Sequence, residues 1–158
     1  MRIINLITAL LFAFILMIES YAQNAVTFIQ YDTECLGVEG DGSQTVRAWG
    51  LGKNRKDAVE QAKKNAVSDV IFKGIRAGLA GCNTRPLVGE VNARERYEEY
   101  FDRFFKDNGE YKKYVSAVDE KKSSKDKSEN KIGARYGVTI RVLRSELKTR
   151  LKADGIIK

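Results

Sequence analysis

The feature that most constrains the fold is a strict alternation of apolar and polar residues near the end of the chain. Apolar side chains occupy every second position of one segment: Ile132, Ala134, Tyr136, Val138, Ile140 and Val142. The positions between them carry Gly133, Arg135, Gly137, Thr139 and Arg141. A period of two indicates a β-strand with one buried and one wetter face. The domain therefore needs a sheet, together with an element that covers the apolar side of that sheet.

The segment 55–73 has the pattern expected of that cover. Its apolar residues recur at the spacing of one helical stripe, and those near its start are small: Ala58, Val59, Ala62, Ala66, Val67, Val70 and Ile71. Asn54 is placed to cap the helix, with Asp57 in its first turn, and Gly74 follows as a stop signal. Because small side chains allow a close approach, we expect this helix to lie directly on the sheet.

Two further strands are predicted before this helix. Residues 25–31 are rich in strand-forming side chains, and glycines at positions 37, 40 and 42 mark a turn region after them. Residues 45–51 form the second predicted strand, with Val46 and Ala48 on one side and Arg47 and Trp49 on the other.

A long connection over 75–91 and a second helix over 92–107 are predicted after the first helix. The second helix carries an aromatic stripe: Tyr97, Tyr100, Phe101, Phe104 and Phe105. At helical spacing such a stripe is more often core than a ligand groove.

The rest of the chain predicts a hairpin and a short helix. Residues 111–118 form one arm and 132–142 the other, joined by the polar segment 119–131, which has no apolar residue to bury. Ser145 is expected to cap the last helix, which carries Leu147 and Leu151 and ends at Gly155.

These elements indicate an α+β fold. We expect a mainly antiparallel sheet of three to four strands, one long helix packed on one face and two further helices. Residues 23–158 are expected to form a single domain of this kind, which is a usual size for one domain.

The first 22 residues resemble a targeting signal. Arg2 gives a positive start, Leu6 to Ile18 carries no charge, and Ser20-Tyr21-Ala22 has the small-x-small pattern of a signal-peptidase site. The apolar run is short for a membrane-spanning helix. We expect cleavage before Gln23 and export of the mature chain as a soluble periplasmic or secreted protein.

The chain contains no histidine. Serine–histidine–aspartate triads, cysteine–histidine pairs, histidine-based zinc sites and histidine pH switches are therefore excluded. Gly50-x-Gly52-Lys53 lies between a strand and a helix, but Arg55 stands where the third glycine of a dinucleotide-binding loop would be. We predict no catalytic residue, no metal ligand, no cofactor and no nucleotide.

Cys35 and Cys82 are the two cysteines of the chain. An even pair in an exported protein favours a disulfide. Two separate unpaired cysteines are the main alternative, and a free nucleophilic thiol is another.

The net charge of +7 favours anionic partners. Anionic polysaccharide, a lipid surface, nucleic acid and an acidic protein all fit, and export makes nucleic acid the least expected. The alternative is a basic exported protein with no specific anionic partner. Arg47, Trp49, Arg135 and Arg141 form the candidate partner-binding surface, on the sheet face away from the main helix.

The segment from Thr45 to Ala66 follows a pattern of bacterial envelope proteins. A strand ending in Ala48-Trp-Gly-Leu-Gly52 leads into a helix with alanines at 58, 62 and 66. This resembles the lipoprotein-20 family and the N-terminal domain of the flagellar T-ring protein. The late strand and short helix from Val138 to Leu151 are also similar to the last elements of those domains. The resemblance implies a helix-on-sheet domain that binds and assembles in the envelope without catalysis. The chain departs from the pattern in lacking a lipidated cysteine and in its helical region 75–109.

The sequence thus predicts an exported, non-enzymatic protein that binds an envelope protein or an anionic envelope polymer. A glycan-acting enzyme that uses a carboxylate pair is one alternative, and a structural subunit of an envelope assembly is another. Homo-oligomer formation is compatible with each of these.

Overall fold

A computed structural model describes residues 32–119, 127–130 and 133–158. The predicted leader 1–22 and the predicted strand 25–31 lie outside these residues. In chain order the elements are β1 (Glu34–Val38), β2 (Gln44–Gly52), α1 (Arg55–Phe72), β3 (Ala77–Gly78), α2 (Ala93–Arg96), α3 (Glu98–Phe105), a 3-10 helix (Glu110–Tyr114), β4 (Val115–Asp119), β5 (Lys127–Asn130), β6 (Gly133–Val142) and α4 (Arg144–Ala153).

The strands form one mixed sheet. Its order is β3-β1-β2-β6-β4, and β5 pairs with β6 as well. Every pair is antiparallel except β1 with β3. The predicted α+β class is confirmed, but the sheet has more strands than the three to four expected and includes a parallel pair. The sequence pattern does not predict β1 and β3, which form the parallel pair, or β5, which pairs with β6 beyond the stretch that β4 occupies.

The central pair of the sheet is β2 with β6. Their register runs unbroken from Gln44 opposite Val142 to Gly52 opposite Ala134. The predicted alternation is confirmed where the structure describes it, because alternate residues of β6 from Ala134 to Val142 are buried. Ile132 lies outside the described residues.

Helix α1 covers the apolar face of this pair. Asn54 caps it by accepting a hydrogen bond from the Asp57 backbone N–H, and Ala58 and Ala62 are fully buried. A Cβ atom at Gly50 would lie only 2.0 Å from the Ala58 carbonyl oxygen. Glycine on β2 and alanine on α1 therefore bring the helix backbone into direct contact with the sheet, as predicted.

Strand β1 occupies part of the predicted turn region. The register shifts between Cys35 and Gly37, so Gly37 lies at an irregularity inside the strand rather than in the turn. The turn itself is shorter and contains Gly42, whose φ of 79° suits glycine.

The predicted second helix is broken into α2 and α3 at Tyr97. The backbone of Tyr97 leaves the helical region, with ψ of 33°. The buried positions of α3 are Phe101 and Phe104, and the Phe101 ring contacts Phe72 of α1 edge to face. The aromatic stripe is therefore core, as its spacing suggested.

Two predictions around the hairpin are wrong. Residues 110–114 form a 3-10 helix instead of strand, because Tyr111 turns inward and donates a hydrogen bond to Glu60 of α1. Residues 127–130 are strand, although they were expected in a solvated tip; their pairing is made by the backbone and needs no apolar side chain. Residues 120–126 and 131 of that tip lie outside the described part of the chain.

Helix α4 begins one residue earlier than its predicted cap. Leu143 is the N-cap residue, and Ser145 lies in the first turn, where its hydroxyl closely approaches Gly42. Leu147 and Leu151 are fully buried, and Gly155 follows the helix with φ of 71°. Within the described ranges, no helix is long and apolar enough to cross a membrane.

Candidate functional site

The four residues of the candidate partner-binding surface lie on one face of the β2–β6 pair. Cα partners across the two strands are Thr45 with Arg141, Arg47 with Thr139, Trp49 with Gly137, and Leu51 with Arg135. Side chains alternate along a strand, so these residues point away from the face that α1 covers. We use the name β2–β6 face for the central residues of this surface, without Thr45 and Arg141 at its border: Arg47, Trp49, Leu51, Arg135, Gly137 and Thr139.

Trp49 lies at the centre of this face. A Cβ atom at Gly137 would be 3.0 Å from two carbon atoms of the indole ring, so the ring lies over the backbone of β6. Glycine at 137 leaves the space that the six-membered part of the indole occupies. An aromatic side chain held against a facing glycine is a known way to fix the position of a strand pair.

Positive and apolar groups surround the indole. Arg47 precedes it by two residues on β2, and Arg135 lies two residues from Gly137 on β6. Leu51 is 55% exposed, which makes it the most accessible apolar side chain of the β2–β6 face. The face thus combines an aromatic ring, an exposed leucine and two guanidinium groups.

Arg141 forms an ion pair with Asp41. Its Nη2 donates to Asp41 Oδ2 at 2.6 Å, and the backbone N–H of Ser43 donates to the other oxygen of the same carboxylate at 2.9 Å. Hydrogen bonding from Ser43 is the main reason that the pKa of Asp41 lies below its usual range, and Arg141 adds to the effect. Arg141 also lies six residues from Arg135 on β6, a span of roughly 20 Å. Its charge is compensated, and it marks the border of the β2–β6 face rather than its centre.

The sheet becomes more acidic toward β1. Glu34 is the Cα partner of Arg47, and the Thr45 hydroxyl donates to Glu39 at 3.1 Å. Two carboxylates therefore lie on the β1 side of the sheet, whereas Trp49 and Arg135 lie toward the end of the β2–β6 pair that is away from the β1–β2 turn.

The structure contains the predicted disulfide between Cys35 and Cys82. It joins β1 to the segment that follows β3, and both cysteines are buried. Cys35 is the Cα partner of Val46 on β2, so the bond holds the β1 side of the sheet next to the core. No described cysteine is free.

Among the carboxylates of the described residues, Glu60 has the densest set of donors. It accepts from Lys63 at 2.9 Å and from Tyr111 at 3.0 Å, and Lys112 lies at 3.1 Å. Partial burial raises the pKa of Glu60, but these hydrogen bonds outweigh it and lower the pKa from 4.5 to about 2. The carboxylate therefore stays charged and links α1 to the 3-10 helix.

The pKa of Asp69 is shifted in the opposite direction from that of Glu60. Burial raises the pKa of its carboxyl, although the Thr33 hydroxyl donates to it. Sequence reasoning missed this residue, which lies between the buried Val67 and Val70 on α1. That placement inside an apolar stretch was the available signal.

Three members of the β2–β6 face are absent from the predicted surface, because their place in it depends on the register of the two strands: Leu51, Gly137 and Thr139. In the described ranges, no group of three or more histidine, cysteine, aspartate or glutamate residues could hold a metal ion.

Comparisons with protein-family models, with curated proteins and with solved structures find no match to this chain.

Proposed function

We propose that the mature chain is an exported, non-enzymatic binding protein of the cell envelope, and that its β2–β6 face receives an anionic partner. The partner is either an envelope protein or an anionic envelope polymer. The observation that carries this proposal is the register that places Trp49 over Gly137, with Arg47 and Arg135 on either side of the indole.

The composition of the face suits binding. Tryptophan and arginine are the residues most enriched at the energetic centres of protein interfaces. Arg47 and Arg135 add positive charge beside an apolar platform, in a chain whose net charge is +7. Such a charge steers anionic partners toward the protein, and this attraction weakens as salt is added.

The position of the indole adds to this argument. Because the backbone of β6 supports the Trp49 ring, the ring is held in place before a partner arrives. A side chain that is ordered in advance loses less conformational entropy on binding. The platform is therefore preorganised for a flat or extended ligand.

Two observations support export. The Cys35–Cys82 disulfide is of the kind that persists in oxidising compartments. The leader pattern of residues 1–22 has the features of a cleaved signal. The resemblance of residues 45–66 to envelope domains that bind and assemble agrees with both.

Affinity capture from envelope extract tests this function. Three baits are compared at low salt: the mature chain, the charge reversal Arg47→Glu/Arg135→Glu, and the matched reversal Lys148→Glu/Lys152→Glu on the exposed side of α4. We expect the mature chain and the α4 variant to retain the same protein or polymer, and the β2–β6 variant to lose it. Equal capture by all three baits, or capture of nothing by the mature chain, would contradict the proposal.

A further inference from the structure

A cleft of about 520 Å³ lies between the end of α3, the 3-10 helix and the end of α4. We name it the Tyr100 cleft, lined by Tyr100, Arg103, Lys106, Glu110, Arg150 and Asp154. Its volume is within the usual range for small-ligand sites. None of these residues belongs to the β2–β6 face.

An aromatic wall forms one side of the cleft. The Tyr100 and Phe104 rings are nearly parallel, with centroids 6.0 Å apart, and Phe104 is similarly stacked on Tyr114. Phe104 is buried whereas Tyr100 is half-buried, so the tyrosine presents part of its ring to the cleft. A flat ring of this kind packs well against the C–H face of a sugar.

Arg150 holds two carboxylates in fixed positions on another side. Its Nε donates to Asp154 Oδ2 at 2.7 Å, and its Nη2 lies 3.1 Å from Glu110 Oε2. The Tyr100 hydroxyl donates to the same Asp154 oxygen at 2.6 Å. Burial and the nearby Asp154 charge raise the pKa of Tyr100, so this hydroxyl remains a donor. The remaining carboxylate lone pairs can accept hydrogen bonds from ligand hydroxyl groups.

Arg103 and Lys106 supply positive charge without a counter-ion. In the part of the chain that the structure describes, neither side chain forms an ion pair, whereas Arg150 in the same cleft forms two. Both residues lie at the carboxyl end of α3, where the helix dipole favours cations. The cleft therefore offers two cations that form no ion pair with the described residues, beside hydroxyl acceptors and an aromatic wall.

We propose that the Tyr100 cleft is a second binding site and that its ligand is an anionic sugar. Arg103 and Lys106 bind the anionic group, the Arg150-held carboxylates accept sugar hydroxyls, and Tyr100 packs on the sugar ring. The anionic group is a carboxylate or a phosphate, and both are bound by the same two cations. This site is separate from the β2–β6 face, so either can fail without the other.

Isothermal titration calorimetry on the mature chain tests the assignment. Three ligands are compared: a disaccharide that contains glucuronic acid, its neutral glucose counterpart, and glucose 6-phosphate. We expect saturable binding of at least one anionic sugar, with a Kd of about 1 mM or lower, and binding of the neutral sugar at least about tenfold weaker. Tighter binding of glucuronate or of the phosphate identifies which anionic group the cleft takes.

Two matched variants localise the binding. Arg103→Ala/Lys106→Ala is expected to raise the Kd for the anionic sugar by about tenfold or more, because two charge-assisted hydrogen bonds are lost. Lys148→Ala/Lys152→Ala removes the same charge from the exposed side of α4 and is expected to leave the Kd unchanged. Circular dichroism and thermal unfolding verify that both variants fold. Absence of saturable binding, equal binding of the neutral sugar, or equal loss in both variants would overturn the proposal.

Discussion

The indole of Trp49 on β2 lies over the backbone of Gly137 on β6, so closely that a Cβ atom at 137 would be 3.0 Å from the ring. The two residues are Cα partners across the central strand pair. Because the chain has one tryptophan, its fluorescence reports on this contact and on anything that binds there.

Gly137→Ala is expected to displace the indole and lower the stability of the domain by about 1 kcal/mol, the usual cost of modest overpacking. The emission maximum and acrylamide quenching of Trp49 should both change. Gly37→Ala in β1 is the control, because a Cβ atom there has no neighbour within 4 Å. Identical emission spectra for Gly137→Ala and the wild type would show that the ring does not occupy this position.

Cys35→Ser/Cys82→Ser is expected to destabilise the domain by about 3–4 kcal/mol, because the disulfide closes a long loop in the unfolded chain. The two cysteines are 47 positions apart. Urea unfolding measures the change, and the reduced wild type should unfold at nearly the same urea concentration as the double variant. If reductant leaves the wild-type midpoint unchanged, the bond does not contribute to stability.

Glu60→Gln is expected to lower the free energy of unfolding by about 1 kcal/mol at pH 7. This figure allows for solvent screening of the partly exposed ion pairs of Glu60. The pKa of this carboxylate is about 2 in the folded protein instead of its usual 4.5. A lowered pKa stabilises the fold above the unfolded value, and that contribution is lost as pH falls from 4.5 toward 2. Urea unfolding at pH 7 and near pH 2 should therefore show a difference between variant and wild type that disappears in acid.

Exposed Glu99→Gln on α3 is the matched control for this charge change. It should alter stability by less than about 0.5 kcal/mol at both pH values. A Glu60→Gln cost that is the same at both pH values would mean that the charge of Glu60 is not its source.

Gln44→Met is expected to stabilise the domain by about 1–2 kcal/mol. Gln44 is fully buried on β2, and neither its amide oxygen nor its amide nitrogen has a hydrogen-bond partner among the described residues. Burial of an unsatisfied amide is costly, and methionine has a similar shape without the polar atoms. Thermal and urea unfolding measure the gain, with exposed Gln61→Met on α1 as the control. A destabilised Gln44→Met variant would show that the amide is satisfied.

The central part of the fold could be predicted from local pattern alone. Helix α1 and strand β6 each bury one regular face, so the periodicity of their apolar residues identifies both. The edge elements could not be predicted in this way. Strand β5 is defined by backbone pairing, and the 3-10 helix depends on the contact of Tyr111 with Glu60, which lies 51 positions away.

The same distinction holds for the candidate surface. Alternation along β2 and β6 placed Arg47, Trp49 and Arg135 on one side of each strand, but only the register shows that they lie together. The pairing of Arg141 with Asp41 joins residues 100 positions apart, so no local pattern predicts it. The ion pair of Arg141 is therefore a property of the tertiary structure.

Photo-crosslinking tests most directly whether the β2–β6 face is the binding surface. Benzoylphenylalanine is placed at Leu51, which is 55% exposed beside Arg135, or at Val91, which is 95% exposed outside this face. After irradiation in envelope extract, we predict that the Leu51 probe forms a crosslink to one discrete partner. A protease degrades that partner if it is a protein, and a glycosidase degrades it if it is a polysaccharide polymer. The Val91 probe should join none. Equal crosslinking from both positions, or crosslinking from Val91 alone, would contradict the account.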